Sequence, residues 1–123
     1  MSPSRIALGA VAALAMALPM ATGSASAAEV WQSPSGNIRC AYTNQVGVAC
    51  YMRHNGRIAT LRSFGNSWVG WTRRGLPAGY VLGYGRVWRR STFSCQSMTS
   101  GMQCRSSHTG HGFFISREST YRW

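Results

Sequence analysis

Four cysteines in two closely matched pairs are the strongest constraint on how this chain can fold. Cys40 and Cys50 are separated by nine residues, and Cys95 and Cys104 by eight. A turn-like segment rich in Thr, Asn, Ser and Gly lies between the members of each pair. A β-hairpin would bring each pair face to face, so we predict the disulfides Cys40–Cys50 and Cys95–Cys104. We expect no zinc site, because the close C-x2-C spacing is absent.

The residues around each cysteine alternate between apolar and polar, as expected for strands with one buried face. Ile38 and Tyr42 share the Cys40 face, and the other three cysteine segments repeat the alternation. The two halves also resemble each other, as I-x-C followed by G-V-x-C and F-x-C followed by G-M-x-C. This similarity has two readings, an internal repeat or two hairpins that obey the same physics.

Further strands are predicted from short apolar and aromatic runs that are separated by Gly, Asn and Pro turns. These runs are residues 57–63, 66–72, 79–88 and 112–117. No segment after residue 28 keeps apolar residues at helical spacing for three turns. The predicted fold is all-β, a small antiparallel sandwich or barrel of about seven or eight short strands with two disulfides.

The first 28 residues have the layout of a secretory signal peptide. Arg5 precedes an apolar run over residues 6–21, and Ala25-Ser26-Ala27 has the form of a signal-peptidase site. The run is short for a membrane span of ~20 residues, and no later segment is long and apolar enough to span a bilayer. We predict a cleaved signal peptide over residues 1–28, a single domain over residues 29–123, and a secreted, extracellular protein.

The charge is extreme and one-sided. The chain has 13 arginines, no lysine and no aspartate, and its carboxylates are Glu29 and Glu118. Because one arginine, Arg5, lies in residues 1–28, the remaining 12 arginines and two glutamates give the mature domain a net charge of +10. So few acids exclude a carboxylate-clustered calcium or magnesium site and a two-carboxylate glycosidase. Length and missing motifs exclude a kinase or a P-loop ATPase.

Several segments together resemble a family of small secreted actinobacterial proteins without an assigned function. They are SPSGNIRC at 33–40, LGYGRVW at 82–88, GMQC at 101–104 and TGHGFFISR at 109–117. The marks of that family are an SPSGNIxC start, an LxYGxxW stretch and a C-terminal GHGFxxSR. Many members carry further cysteines in the middle of the chain, whereas this chain has none there. The resemblance implies export and a shared fold, and it implies no reaction.

Catalytic chemistry would have to come from the histidines near the C-terminus. His108 and His111, with Glu118, are the residues that an acid–base site of a small secreted hydrolase such as a ribonuclease would use. The alternative, which we favour, is a structural turn formed by Gly110, His111 and Gly112 before an apolar strand. No metal site and no cofactor are expected, because the histidines lack further ligands and no nucleotide-binding motif occurs.

Arginines interleaved with tryptophans point instead to binding. The predicted ligand-binding residues are Arg73, Arg74, Arg86, Arg89, Arg90, Trp71 and Trp88. Arginine forms bidentate hydrogen bonds to phosphate and carboxylate and also stacks on aromatic rings. The sequence therefore predicts a non-catalytic binding module whose partner is an anionic polymer, a cell-envelope component or nucleic acid. An inhibitor of a secreted enzyme is a second binding hypothesis.

Overall fold

The computed structural model describes residues 29–123, so the predicted signal peptide lies outside the described residues. Within this range the regular structure consists of strands alone, which confirms the all-β prediction. The strands are β1 (Glu29–Gln32), β2 (Ile38–Thr43), β3 (Gly47–Met52), β4 (Arg57–Leu61), β5 (Trp68–Trp71), β6 (Tyr80–Val81), β7 (Val87–Arg90), β8 (Phe93–Met98), β9 (Gly101–Ser106), β10 (Gly112–Ile115) and β11 (Thr120–Arg122).

The strands form two sheets. One has six strands in the order β5-β4-β3-β2-β1-β6, and the other has five in the order β11-β10-β9-β8-β7. All pairings are antiparallel except that of β6, which adds to the edge of β1 in parallel. Strands β1 to β5 and strands β7 to β11 are each neighbours in sequence order, as expected when short turns connect antiparallel strands, whereas β6 lies at the opposite edge from β5.

Both predicted disulfides are present, and each joins directly opposite residues of one hairpin. Cys40 is bonded to Cys50 between β2 and β3, and Cys95 is bonded to Cys104 between β8 and β9. No cysteine is free. The predicted alternation is also confirmed, since every second residue of β2 is buried, beginning with Ile38.

The two sheets pack face to face around one hydrophobic core. At its centre the sulfur of Cys50 lies 3.8 Å from the sulfur of Cys104, so that the disulfide of one sheet rests on that of the other. Beside them the indole rings of Trp31 and Trp88 stack with a centroid distance of 4.1 Å. At the centre of the core the side chains therefore come in equivalent pairs, one from each sheet.

The equivalence of strand positions extends through five strands of each sheet. In the six-stranded sheet one cross-strand row reads Trp31, Cys40, Cys50, Ala59 and Val69. In the five-stranded sheet the equivalent row reads Trp88, Cys95, Cys104, Phe113 and Arg122.

Turn geometry matches as well. Gly47 and Gly101 open equivalent strands with positive φ, and a Cβ on either would collide with an equivalent carbonyl oxygen, that of Leu61 or Ile115. Equivalence in register, turns and core contacts exceeds what two independent hairpins require. Of the two readings of the sequence similarity, the structure therefore favours the internal repeat.

The predicted strand over residues 79–88 is divided in two. Tyr80–Val81 forms β6 of one sheet, whereas Val87–Arg90 forms β7 of the other. A turn separates them, in which Gly85 has φ +86° and the amide of Arg86 donates to the carbonyl of Gly83 at 3.0 Å. The chain passes from one sheet to the other in this segment, and the side chain of Leu82 between the two strands is buried in the core.

The structure has eleven strands where the sequence suggested about seven or eight. Besides the divided segment, the sequence did not indicate β1 and β11, which have four and three residues. Segments this short hold too few alternating positions to form a pattern, and pairing with a longer neighbour is what makes them strands.

The loop over residues 72–79 covers part of the outer face of the six-stranded sheet. It runs from β5 at one edge to β6 at the other and passes over β3 and β2. Gly75 lies so close to the ring of Tyr51 that a Cβ there would be 2.6 Å away, and Arg39 Nη1 donates to the Leu76 carbonyl at 3.4 Å. No connection of this kind crosses the outer face of the five-stranded sheet within residues 29–123.

The equivalence of the disulfides predicts equal contributions to stability. Replacing Cys40 and Cys50 by alanine should lower the free energy of unfolding by about 2–3 kcal/mol through the lost loop constraint alone. The lost packing of the sulfurs at the core centre adds to this. The double variant of Cys95 and Cys104 should behave alike in urea unfolding followed by tryptophan fluorescence. A large loss in one variant beside an unchanged value in the other would contradict the equivalence.

Candidate functional site

The predicted arginine groups do not form one patch. Arg73 and Arg74 are exposed in the loop that follows β5 at one edge of the six-stranded sheet. Arg86, Arg89 and Arg90 are exposed in and before β7, the edge strand of the other sheet. β7 lies beside β1, since Trp88 and Trp31 stack, and β1 is four strands from β5. The two groups therefore lie on different surfaces of the domain.

Only one of the two predicted tryptophans is available to a ligand. Trp71 is 67% exposed, and the guanidinium of Arg57 lies over its ring at 4.3 Å. Trp88 is 5% exposed and packs against Trp31 and Tyr42 in the core. The prediction that Trp88 makes stacking contacts with a ligand is wrong, because its register partner is the inward-facing Cys95.

Arg90 has a structural partner. Its guanidinium forms an ion pair with Glu29, and the indole nitrogen of Trp88 donates to the same carboxylate at 3.0 Å. This carboxylate thus ties β1 of one sheet to β7 of the other. Among residues 29–123 it is the one ion pair, so the other 11 arginines of the domain have no carboxylate partner.

One uncovered surface that combines arginines with aromatic rings is the outer side of the five-stranded sheet. We call it the open face. It consists of the residues that alternate along each strand with the inward-facing row from Trp88 to Arg122. They are Val87, Arg89, Ser94, Gln96, Gln103, Arg105, Gly112, Phe114, Tyr121 and Trp123. All of these side chains are exposed or half-buried, and Gly112 has none.

One half of the open face is aromatic. Phe114 and Tyr121 are register partners whose stacked rings have centroids 5.4 Å apart. The ring centroid of Tyr121 lies 6.0 Å from that of Trp123. Tyr121 is 53% exposed and Trp123 is 41% exposed. Three rings therefore form a continuous ladder along β10 and β11.

The other half of the open face is polar and basic. Arg89, Ser94 and Arg105 form one cross-strand row, and Gln96 pairs with Gln103 in the next. Neither glutamate of the chain is in these rows. Sequence reasoning missed Gln96, Gln103 and Arg105 as site residues. The signal that could have found them is their alternation with Cys95 and Cys104.

The histidines and Glu118 do not form a catalytic group. His108 and His111 precede β10, whereas Glu118 follows it. The four residues of β10 separate the two ends by roughly 13 Å, at about 3.3 Å per residue. An acid–base pair needs hydrogen-bond reach to a common substrate atom, so the hydrolase grouping of His108, His111 and Glu118 is not supported.

His111 instead contacts the main chain around it. Its Nδ1 lies 3.1 Å from the main-chain oxygen of Trp123, and its amide donates to the Thr109 hydroxyl at 3.2 Å. Gly110 has φ +82°, and a Cβ on Gly112 would lie 2.5 Å from the carbonyl oxygen of Cys104. These contacts hold the turn before β10 against the end of β11.

A shallow cleft of about 140 Å³ lies at one end of the sandwich. It brings together residues from the family-like segments, including Ser33, Ser35, Tyr84, Gly101 and Arg117. Two of its serines, Ser33 and Ser35, form hydrogen bonds within the turn before β2. The Ser33 hydroxyl accepts from the amide of Ile38 at 3.1 Å and lies 3.3 Å from that of Ser35. Ser33 and Ser35 therefore have a structural role in this turn.

Three further observations concern metal binding, membrane spans and the pKa of one tyrosine within residues 29–123. No three metal-binding side chains come together there, and no helix in this part of the chain is long and apolar enough to cross a membrane. Partial burial raises the pKa of the Tyr80 phenol above its usual value. Tyr80 therefore stays neutral at physiological pH and adds no charge beside β1.

No protein-family profile, no curated protein and no solved structure matches this chain. Membership of the actinobacterial family that its segments resemble therefore stays a prediction.

His111→Ala should destabilise the domain. Losing the contact to the main-chain oxygen of Trp123 costs on the order of 1 kcal/mol, which lowers the Tm of a domain this size by about 4–8 °C. His108→Ala is the matched control, since that imidazole is exposed and should leave the Tm unchanged. Equal melting temperatures for both variants would contradict the structural role of His111.

Proposed function

We propose that the mature protein is a secreted, non-catalytic binding module that holds an acidic cell-envelope polysaccharide on its open face. The observation that supports this most is the composition of the face, where arginines and an aromatic ladder lie together without an acidic side chain. The partner is thus an anionic polymer, as the sequence also suggested. The two formed disulfides are compatible with an oxidising, extracellular location.

Charge is the first support for an anionic partner. Arg89 and Arg105 are exposed and bond to no other side chain of the described residues. Their guanidinium groups are therefore free to form bidentate hydrogen bonds with carboxylate, sulfate or phosphate groups. The net charge of the domain adds a long-range field that attracts such polymers at low salt.

The remaining residues of the open face favour a glycan over nucleic acid. The amides of Gln96 and Gln103 each provide donors and an acceptor, which suits sugar hydroxyl groups. The ladder of Phe114, Tyr121 and Trp123 offers apolar surface to sugar rings. Nucleic acid binding depends mainly on many phosphate contacts, and two arginines on this face are few for that purpose.

Two features argue against catalysis on this face. No histidine, glutamate or cysteine side chain belongs to it, so it lacks the side chains that most often do general acid–base work. The face is also a sheet surface and not an enclosed pocket, whereas enzymes exclude water from the reacting atoms.

Removing the two face arginines should weaken ionic binding. In Arg89→Ser/Arg105→Ser, we expect the slope of log affinity for heparin against log salt to fall by roughly two ionic contacts, as counterion release requires. Isothermal titration across a salt series measures this slope. Arg73→Ser/Arg74→Ser removes the same charge from the opposite edge of the molecule and should keep most of the wild-type slope.

The control variant makes this result decisive. If Arg73→Ser/Arg74→Ser reduces the slope and the face variant does not, the polymer binds over the six-stranded sheet. If single-stranded DNA binds more tightly than heparin and depends on the same two arginines, the partner is nucleic acid.

The aromatic ladder should contribute affinity without charge. Tyr121→Ala should weaken heparin binding by roughly tenfold, about 1.4 kcal/mol, because the apolar surface of the ring is no longer buried against the sugar. The salt slope should stay that of the wild type, because no ionic contact is lost. Phe64→Ala removes the most exposed aromatic side chain of the domain and should leave both quantities unchanged. A steeper or flatter slope in Tyr121→Ala would contradict the division of the face into ionic and stacking halves.

A further inference from the structure

A second candidate site lies at an end of the sandwich, between the sheets. A cleft of about 290 Å³ opens there, lined by Asn55 and Arg57 of the first repeat and by Arg117, Glu118 and Thr120 of the second. None of these residues belongs to the open face.

Arg57 is held in place in this cleft. It lies on the inner side of β4 in line with the buried Ala59 and Leu61, and it pairs in register with Trp71. Its guanidinium lies 4.3 Å from the centroid of the Trp71 ring, and its Nη2 donates to the Thr120 carbonyl in a long hydrogen bond of 3.4 Å. The guanidinium is thus fixed by an aromatic face on one sheet and a carbonyl on the other.

Two buried polar atoms in the cleft have no partner. The Nε–H of Arg57 is shielded from solvent and donates no hydrogen bond, and the hydroxyl of Thr120 is likewise buried without a partner. Buried donors are almost always satisfied in native proteins, since an unsatisfied one costs free energy. Both residues line the same cleft, and each of the two groups can donate a hydrogen bond to an acceptor.

The charge of the cleft favours an anion there. Arg57 and Arg117 contribute two positive charges against the one negative charge of Glu118, and neither arginine forms an ion pair within the described residues. An oxyanion would accept hydrogen bonds from the Nε–H of Arg57 and from the Thr120 hydroxyl. Its negative charge would neutralise the excess positive charge of the cleft.

We propose that this cleft binds a single oxyanion group, a phosphate or a carboxylate, through Arg57 and Thr120. The cleft is open to solvent, so the oxyanion can be a free ion or the end group of a larger molecule. This site does not depend on the open face, and either proposal can fail without the other.

The test is a titration followed through the arginine Nε–H signals of the domain by NMR, at constant ionic strength. The probes are inorganic phosphate, acetate and glycerol 1-phosphate. We expect saturable binding of one equivalent that shifts the Arg57 Nε–H signal most. Tighter binding of inorganic phosphate than of glycerol 1-phosphate identifies a free ion, and the reverse order identifies an end group. If no probe saturates, or if all arginine signals shift alike, the proposal is overturned.

Matched variants locate the anion. Arg57→Lys keeps the charge but removes the Nε–H, and it should weaken binding by roughly tenfold, as expected for a lost hydrogen bond to a charged group. Arg62→Lys makes the same change just beyond the other end of β4 and should leave the affinity unchanged. Thr120→Val keeps the side-chain shape and should also weaken binding. Equal effects of Arg57→Lys and Arg62→Lys would overturn the proposal.

The glutamate provides a test with the opposite sign. Glu118→Gln removes the negative charge that lines the cleft and should tighten phosphate binding, because like charges repel. Failure to tighten would mean that phosphate binds elsewhere. Heparin binding by Arg57→Lys should stay that of the wild type, which separates this site from the open face.

Discussion

The contact between the two disulfides at the centre of the sandwich organises the rest of the domain. Each disulfide fixes the register of one hairpin, since Cys40 lies opposite Cys50 and Cys95 lies opposite Cys104. A shift by one residue would turn every apolar side chain of a strand outward. The approach of the sulfurs of Cys50 and Cys104 then aligns the sheets, and the stacked indoles lie beside them. For a domain of about 95 residues, such crosslinks supplement a small core.

The repeat also accounts for the difference between the two outer faces. Tyr51 of the six-stranded sheet is equivalent to Arg105 of the five-stranded sheet, and Arg39 is equivalent to Ser94. In the first repeat these positions support the loop over residues 72–79, through the Tyr51 ring and the Arg39 guanidinium. In the second repeat the same positions are free of such a loop. The two copies thus share one core, while one outer face serves the fold and the other is available for binding.

The features that sequence could predict are those that neighbouring residues determine. The hairpins at the cysteines follow from local spacing and alternation, and both disulfides could be predicted for this reason. The open face could not be predicted, because Arg89, Arg105 and Tyr121 come together only through the registers of four successive strand pairs. Trp88 illustrates the limit. Its neighbours Arg89 and Arg90 suggested a basic surface, whereas its pairing with Cys95 turns the indole into the core.

The geometry of β11 keeps the two proposed sites apart. Successive side chains of a strand point to opposite sides of the sheet, so Thr120 is directed to the inner side, as is its partner Ile115, while Tyr121 lies on the open face beside Phe114. A polymer on the aromatic ladder therefore leaves the Thr120 side of the strand free, and an anion held by Arg57 does not reach the ladder. The two surfaces can be occupied together, because no side chain belongs to both.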